Sequence, residues 1–414
     1  MAEKQLMRGI LLLLVVATFS TADPTNAAGS GQVTTLTSTL ILTSANNGQL
    51  FSNYRISTTS GDCVDLIGAS NVIFEASDIG PCAGRGVAIN GGSGDNIYDS
   101  YIHVENKATS CCDSHDGIFI TLSSKDTVQG NVVAYGESNI QTFASDNIAI
   151  VGNFLLNPLG PFPRGEQIQT GPGSNIVIIN NFMLSTDRKT LGRAVGTINT
   201  APIRYGQDNT GNRPSDNLSI YTTRNVDVEN NYITGGLDAT RPGSGGAQAS
   251  SGCGLIADGS DTSAPKGITF KNNTLVNTGQ CGIGIATGTN DVVTGNKIIN
   301  LNPNGSGNTA LYIWKQYKAS CGPVLLNGNI ASLIRSDGYA SGYWNGGGCA
   351  LVTCDGVNTN IDNCNIFDYG SHRTAYKLLH PIGTRVPPPL IPPLPKKCIV
   401  KSLYSTQTGL LVCQ

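Results

Sequence analysis

The chain is poor in charge, in methionine and tryptophan and in histidine, and beyond its first nineteen residues it has no long apolar run. Charged side chains make up 13% of its 414 residues, with 3 Met, 2 Trp and 4 His. Formal charge is −2 with no basic block, so the electrostatic footprint of a nucleic-acid binder is missing and neither DNA nor RNA is expected as a partner. The longest apolar run, Ile10 to Phe19, falls short of the roughly 20 residues a membrane helix needs, so no membrane span is expected. The four histidines (His103, His115, His372, His380) are scattered and no Cys-x-x-Cys pair recurs at zinc spacing, which argues against a structural zinc site. This composition is also unlike that of helical proteins.

What is present points to export. Lys4 and Arg8, the apolar run and the small residues around Ala27-Ala28 have the order of a signal peptide, expected to cover residues 1–28. All twelve cysteines follow it, several close together: Cys63 with Cys82, Cys111 beside Cys112, Cys354 with Cys364, Cys398 with Cys413. An even count behind an export signal favours disulfides in a secreted protein, extracellular or periplasmic.

With Gly at 51 residues and abundant Asn, a short unit recurs: Ser/Gly-Asn-Ile/Val-x-Ile/Val, then Asn, then two mostly apolar residues. Ser174-Asn175-Ile176-Val177-Ile178 with Asn181 and Arg224-Asn225-Val226-Asp227-Val228 with Asn231 are examples. Its second polar position falls at Ser77, Ser100, Asn131, Asn153, Asn181, Asn231, Asn273, Asn296, Asn329 and Asn365, in steps of 23, 31, 22, 28, 50, 42, 23, 33 and 36. A floor near 22 with irregular excess is the signature of solenoid coils carrying insertions. The recurring Asn reads as structural, tolerating a left-handed turn and bonding through its amide to the next coil.

A second set of alternating segments precedes these markers, including Gly117-Ile118-Phe119-Ile120-Thr121, Asn139-Ile140-Gln141-Thr142 and Gly282-Ile283-Gly284-Ile285. Alternation sends Ile118, Ile120, Ile140, Thr142, Ile283 and Ile285 inward and leaves Phe119, Gln141 and Gly284 outside. A sandwich would show no fixed coil register, and propeller blades need about twice this step. The fold class is therefore expected to be all-β, a right-handed parallel β-helix of about ten coils with capped ends. Residues 29–380 would form this domain, with an N-terminal cap, and 381–414 a Pro-rich tail closed by Cys398 and Cys413.

On this repeat, residues 60–370 resemble the pectate-lyase-like superfamily of right-handed parallel β-helices, which holds polysaccharide lyases, glycoside hydrolases, sugar epimerases and phage tailspikes. The resemblance implies a polysaccharide partner, and calcium is used by many members. The sequence itself requires no cofactor, and it leaves the metal and the oligomeric state open.

The long steps place insertions between Asn181 and Asn273 and before Glu166, flanking the segments at 117–121, 139–143 and 167–171. Asp113-Ser114-His115-Asp116 puts an imidazole and two carboxylates in one turn, and imidazoles serve as general bases near neutral pH. This segment resembles the Asp-Pro-His-Asp/Glu element of alginate C5-epimerases, with Ser114 in place of the proline. Candidate catalytic residues are His115 as base, Arg204 as neutraliser of a substrate carboxylate, and Glu166 with Asp116 as a hydrolytic acid–base pair. Asp113, Gln141, Gln167, Gln169, Arg193, Tyr205 and Tyr221 are candidate substrate contacts. Phe119, Tyr312 and Trp314 could stack on sugar rings if they run along one face. The leading expectation is a lyase cleaving a uronic-acid-containing glycan. A glycoside hydrolase or glycosyl-transferring enzyme, a C5-epimerase and a carbohydrate-binding surface protein without activity are the alternatives.

Overall fold

The computed structural model describes residues 33–105, 114–160, 165–185, 216–235, 252–276, 278, 281–300, 309–333 and 341–369, and the backbone of 398–401 and 410–413. Each coil gives one strand to each of three parallel sheets. Sheet A has twelve strands, from Thr34–Leu36 to Ile366–Tyr369; sheet B has eleven, from Leu40–Thr43 to Ser341–Gly347; sheet C has twelve, from Leu50–Ser52 to Val352–Thr353. No α-helix occurs among the described residues. The chain thus makes about twelve coils rather than ten. The two extra coils precede Ser77, where the marker position is held by Thr34 and Tyr54. Tyr54 lacks the small polar side chain of the repeat, but its backbone N–H still donates to Ser77 Oγ at 3.1 Å.

The inward rows are as alternation predicts. Ile118, Ile120, Ile140, Ile283 and Ile285 are fully buried, and they continue a column that runs from Val64 and Val87 to Leu311. Burying each such side chain contributes about 1.5–3 kcal/mol, and only stacked coils can do so along the whole column.

Where sheet C turns into sheet A, the connections from Glu75 to Ile330 are two residues long and the marker asparagines form a buried ladder. The backbone N–H of Asn181 donates to Asn231 Oδ1 at 2.9 Å, and its Nδ2 reaches the same oxygen at 3.0 Å and Ile150 O at 2.9 Å. Asn131, Asn153, Asn231, Asn273, Asn296 and Asn329 repeat the pattern toward the next coil. The ladder Asn is not itself the left-handed residue that the repeat suggested. The left-handed backbone lies one residue earlier, at Asn180, Asn230 and Asn272 (φ 59°, 56° and 55°), because the ladder Asn must point its amide into the core.

The connections from sheet A to sheet B are the variable ones: 135–139 is short, whereas 157–167, 186–217 and 236–252 carry the excess length found in the sequence. All therefore leave and enter at one edge of sheet B. Cys63–Cys82 and Cys354–Cys364 form disulfides, and Cys253–Cys281 and Cys321–Cys349 cross-link further turns. A separate antiparallel strand pair sets Cys398 opposite Cys413; Cys111 and Cys112 lie outside the described residues.

Candidate functional site

Sheet B presents one outward residue per coil in strict register: Ile41, Asp65, Ala88, Phe119, Gln141, Gln169, Ser219, Ile256, Gly284, Tyr312 and Trp344. Accessibility along this row is uneven. Gln141, Gln169, Ser219 and Ile256 are buried although they face outward, whereas Asp65, Phe119 and Tyr312 are partly open and Trp344 is exposed. The row offers two accessible ends, an acidic one and an aromatic one.

At the edge where sheet A feeds sheet B, the residue two places before each inward one forms a polar column: Asp62, Arg85, Asp116, Ser138, Glu166 and Asp216. Asp62 Oδ1 accepts the backbone N–H of Arg85 at 2.7 Å, Asp116 Oδ1 that of Ser138 at 3.2 Å, and Asp216 Oδ1 that of Cys253. Ser138 Oγ donates to Glu166 Oε2 at 3.0 Å. Asp116 and Glu166 do share one column, two coils apart, but both are buried and Asp116 serves the next coil's backbone. Beside the column, Asn139 Nδ2 donates to Gln167 Oε1 at 2.7 Å, and Gln167 Nε2 to Ser185 Oγ at 2.9 Å and Leu184 O at 3.1 Å. Gln167 is wholly buried there, which corrects its assignment as a substrate contact: its amide belongs to a corner ladder. Gly117 follows Asp116 for a packing reason, since a Cβ there would lie 2.5 Å from Asn139 O and 2.4 Å from Val133 Cγ1.

The acidic end is built around Arg85. Its guanidinium lies over the Phe119 ring, 4.2 Å from the centroid, with Nη1 3.6 Å from Asp62 Oδ2 and Nε 3.9 Å from Asp116 Oδ2. Asp65 projects from the strand Val64–Ile67 toward Asp62. Burial pushes the Asp65 carboxyl up to about 6, and the charge of Asp62 and a hydrogen bond with it push the same way, against the pull of Arg85. Asp65 thus holds its proton above the usual carboxylate range. His115 borders this end: its backbone N–H faces Glu137 Oε2 at 3.5 Å, its carbonyl accepts Glu137 N–H at 2.7 Å, and its buried Nδ1 has no hydrogen-bond partner.

Of the residues singled out in the sequence, His115, Asp116 and the outward Gln141 fall on neighbouring coils, with Glu166 and Gln169 one coil further. Tyr221 lies at the end of its strand opposite Asp258, toward the aromatic end. Asp113, Arg193, Arg204 and Tyr205 lie outside the described residues. Sequence reasoning missed Asp62, Asp65 and Arg85. The signal was available: Asp62 and Arg85 stand two residues before Val64 and Val87, as Asp116 stands before Ile118. Among the described residues, the one group of three close ligand atoms, Cys354, Asp355 and Cys364, has both sulfurs committed to a disulfide.

A family model described as "Right handed beta helix region" matches residues 39–181. Among solved structures, the Dettilon tailspike protein (gp208) superposes with a TM-score of 0.53 at 12% identity, over 81% of this chain. The fold is a right-handed parallel β-helix. The chain spans 61% of that tailspike's length. An endo-xylogalacturonan hydrolase from Aspergillus tubingensis matches at TM-score 0.45 and 12% identity, over 78% of this chain and 86% of the hydrolase. The A-module of Azotobacter vinelandii mannuronan C-5 epimerase AlgE6 matches at 0.42 and 11%, over 82% and 91%. No curated protein sequence matches the chain.

Proposed function

We propose that this β-helix is an exported enzyme that cleaves a glycan bound at the acidic end of sheet B, by acid-catalysed hydrolysis with Asp65 as proton donor. The observation carrying this reading is the position of Asp65 on the partly open outward row, beside Asp62 and Arg85, where burial pushes its carboxyl up to about 6. A protonated carboxyl gives its proton to the departing glycosidic oxygen. As water adds to the anomeric carbon, the Asp65 carboxylate left by that transfer takes the water's proton and is regenerated, while Asp62, held by Arg85, faces the positive charge that develops there. Phe119, capped by Arg85, offers a ring edge to the sugar. The disulfides fit an oxidising compartment.

Elimination is the second reading, favoured by His115, whose buried Nδ1 has no hydrogen-bond partner. It ranks lower because among the described residues Arg85 faces three carboxylates, Asp62, Asp65 and Asp116. That balance repels a uronate rather than neutralising it.

The test is incubation with neutral polysaccharides (galactomannan, arabinoxylan) and acidic ones (polygalacturonate, alginate), following reducing ends and the ultraviolet absorbance of unsaturated uronides in parallel. New reducing ends without absorbance, lost in Asp65→Asn, are expected. Absorbance rising with reducing ends and lost in His115→Ala would replace hydrolysis with elimination. Neither signal on any polymer would remove the enzymatic reading.

A further inference from the structure

At the other accessible end of the same row, Tyr312 stacks between two tryptophans. Its ring centroid is 4.5 Å from that of Trp344, with planes 7° apart, and 4.0 Å from that of Trp314, at 21°. Tyr312 and Trp344 hold successive outward positions, so the rings lie side by side along the helix axis on sheet B. Two glycines make room. A Cβ on Gly284 would come 3.2 Å from the Trp314 ring, and one on Gly346 would come 2.7 Å from Trp314 Cβ. The rim is polar and ordered: Trp314 Nε1 donates to Gln316 Oε1 at 3.1 Å, and Gln316 Nε2 to Tyr317 Oη at 3.1 Å. Trp344 nevertheless leaves 48% of its surface in water.

We propose that Trp344, backed by Tyr312 and Trp314, forms a distal sugar-binding platform, the ring face of Trp344 turned away from Tyr312 stacking on the C–H face of a pyranose. This rests on the glycan reading of the acidic end. Two observations select a sugar as occupant. Trp344 is half in water with Tyr312 against one side of its indole, which leaves a flat apolar face with the exposed amide of Asn345 next to it, matching a ring that is apolar on its face and polar at its rim. The platform also lies on the register row that carries Asp65 and Phe119, six coils beyond Phe119, or roughly 29 Å at about 4.8 Å per coil. The interposed Gln141, Gln169, Ser219 and Ile256 are covered, so the platform is a separate contact and holds polymer away from the cleavage point.

The protein has 2 tryptophans, and both are in the platform, so intrinsic tryptophan emission reports on this site alone. Titrating the full chain with the four polysaccharides above, and with oligosaccharides cut from them, is expected to shift and quench that emission saturably. Trp344→Ala should weaken polymer binding, measured by calorimetry, about tenfold, as loss of one ring contact implies. Trp344→Phe, which keeps a ring, should restore most of it, separating stacking from a folding defect. If a polymer that the protein cleaves leaves emission unchanged at saturation, or if Trp344→Ala binds as tightly as the parent, the platform is overturned while the hydrolase reading stands. Failure of every glycan to bind or react would overturn both.

Discussion

Asp116 Oδ1 accepts the backbone N–H of Ser138, one coil further on, at 3.2 Å. Asp62 does the same for Arg85 and Asp216 for Cys253, so one register position supplies carboxylates that serve the stacking of coils. Chemistry at this edge depends on what each carboxylate's other oxygen and neighbours do, and that differs from coil to coil.

Asp116→Ala and Asp116→Asn should therefore part company. Alanine leaves the buried Ser138 N–H without its acceptor and is expected to cost about 1–3 kcal/mol, read as a lower unfolding midpoint. Asparagine keeps an acceptor oxygen and should unfold close to the parent while removing a carboxylate from Arg85. Equal destabilisation by both variants would deny the backbone role.

Hydrolysis should hold below pH 6 and fall above it, because the proton donor must be protonated and Asp65 carries its proton up to about 6. On the falling limb the rate should drop about tenfold per pH unit, and Asp65→Asn should lose about 10²–10⁴-fold at pH 5. A rate that rises through pH 6 instead would assign the limb to a base.

His103 sits outside sheet A between Asp78, at 3.1 Å from Nε2, and Glu105, at 2.8 Å from Nδ1, with Tyr101 stacked on its ring. Burial alone would lower its pKa, but the bonds and charges of Asp78 and Glu105 outweigh it and raise the ring to about 9. A group raised on folding stabilises fully below its unfolded value near 6.5 and loses that contribution as pH rises through 9. His103→Gln should cost on the order of 2 kcal/mol at pH 6, allowing for the partly exposed partners, and much less at pH 10. Unfolding curves at the two pH values decide this.

Asp291 behaves in the opposite sense. Its Oδ1 accepts Ile268 N–H at 3.0 Å while its Oδ2 is buried without a partner, and burial raises the carboxyl to about 7 against the backbone donors Ile268 and Gly267. Above its unfolded value near 4 the native state resists ionisation, so stability falls between pH 4 and 7. Asp291→Asn keeps the acceptor without the charge. It should be more stable than the parent at pH 8, by on the order of 3 kcal/mol, with the gain vanishing near pH 4. A melting-temperature difference that does not change with pH would count against the buried-charge explanation.

The sequence determined the solenoid because the solenoid is periodic: alternation gave the inward isoleucines, and the recurring Asn marked a ladder whose hydrogen bonds are local to neighbouring coils. It located the insertions by length and showed Cys63 near Cys82 and Cys354 near Cys364, but left the disulfide connectivity open, which the stacked coils settle. It read His115-Asp116 as reactive because acid and imidazole adjoin in the chain, a one-dimensional criterion that cannot see the coil before. Only the stacked structure brought Asp62 and Asp116 within ion-pair reach of Arg85, turned Asp65 toward Asp62, and sank Gln167 into a corner ladder. It also brought Tyr312 and Trp344, thirty-two residues apart, into ring contact. The difference is physical: periodic burial is encoded by residues within one turn of the helix, whereas a site forms across coils whose spacing along the chain is set by insertions of unequal length.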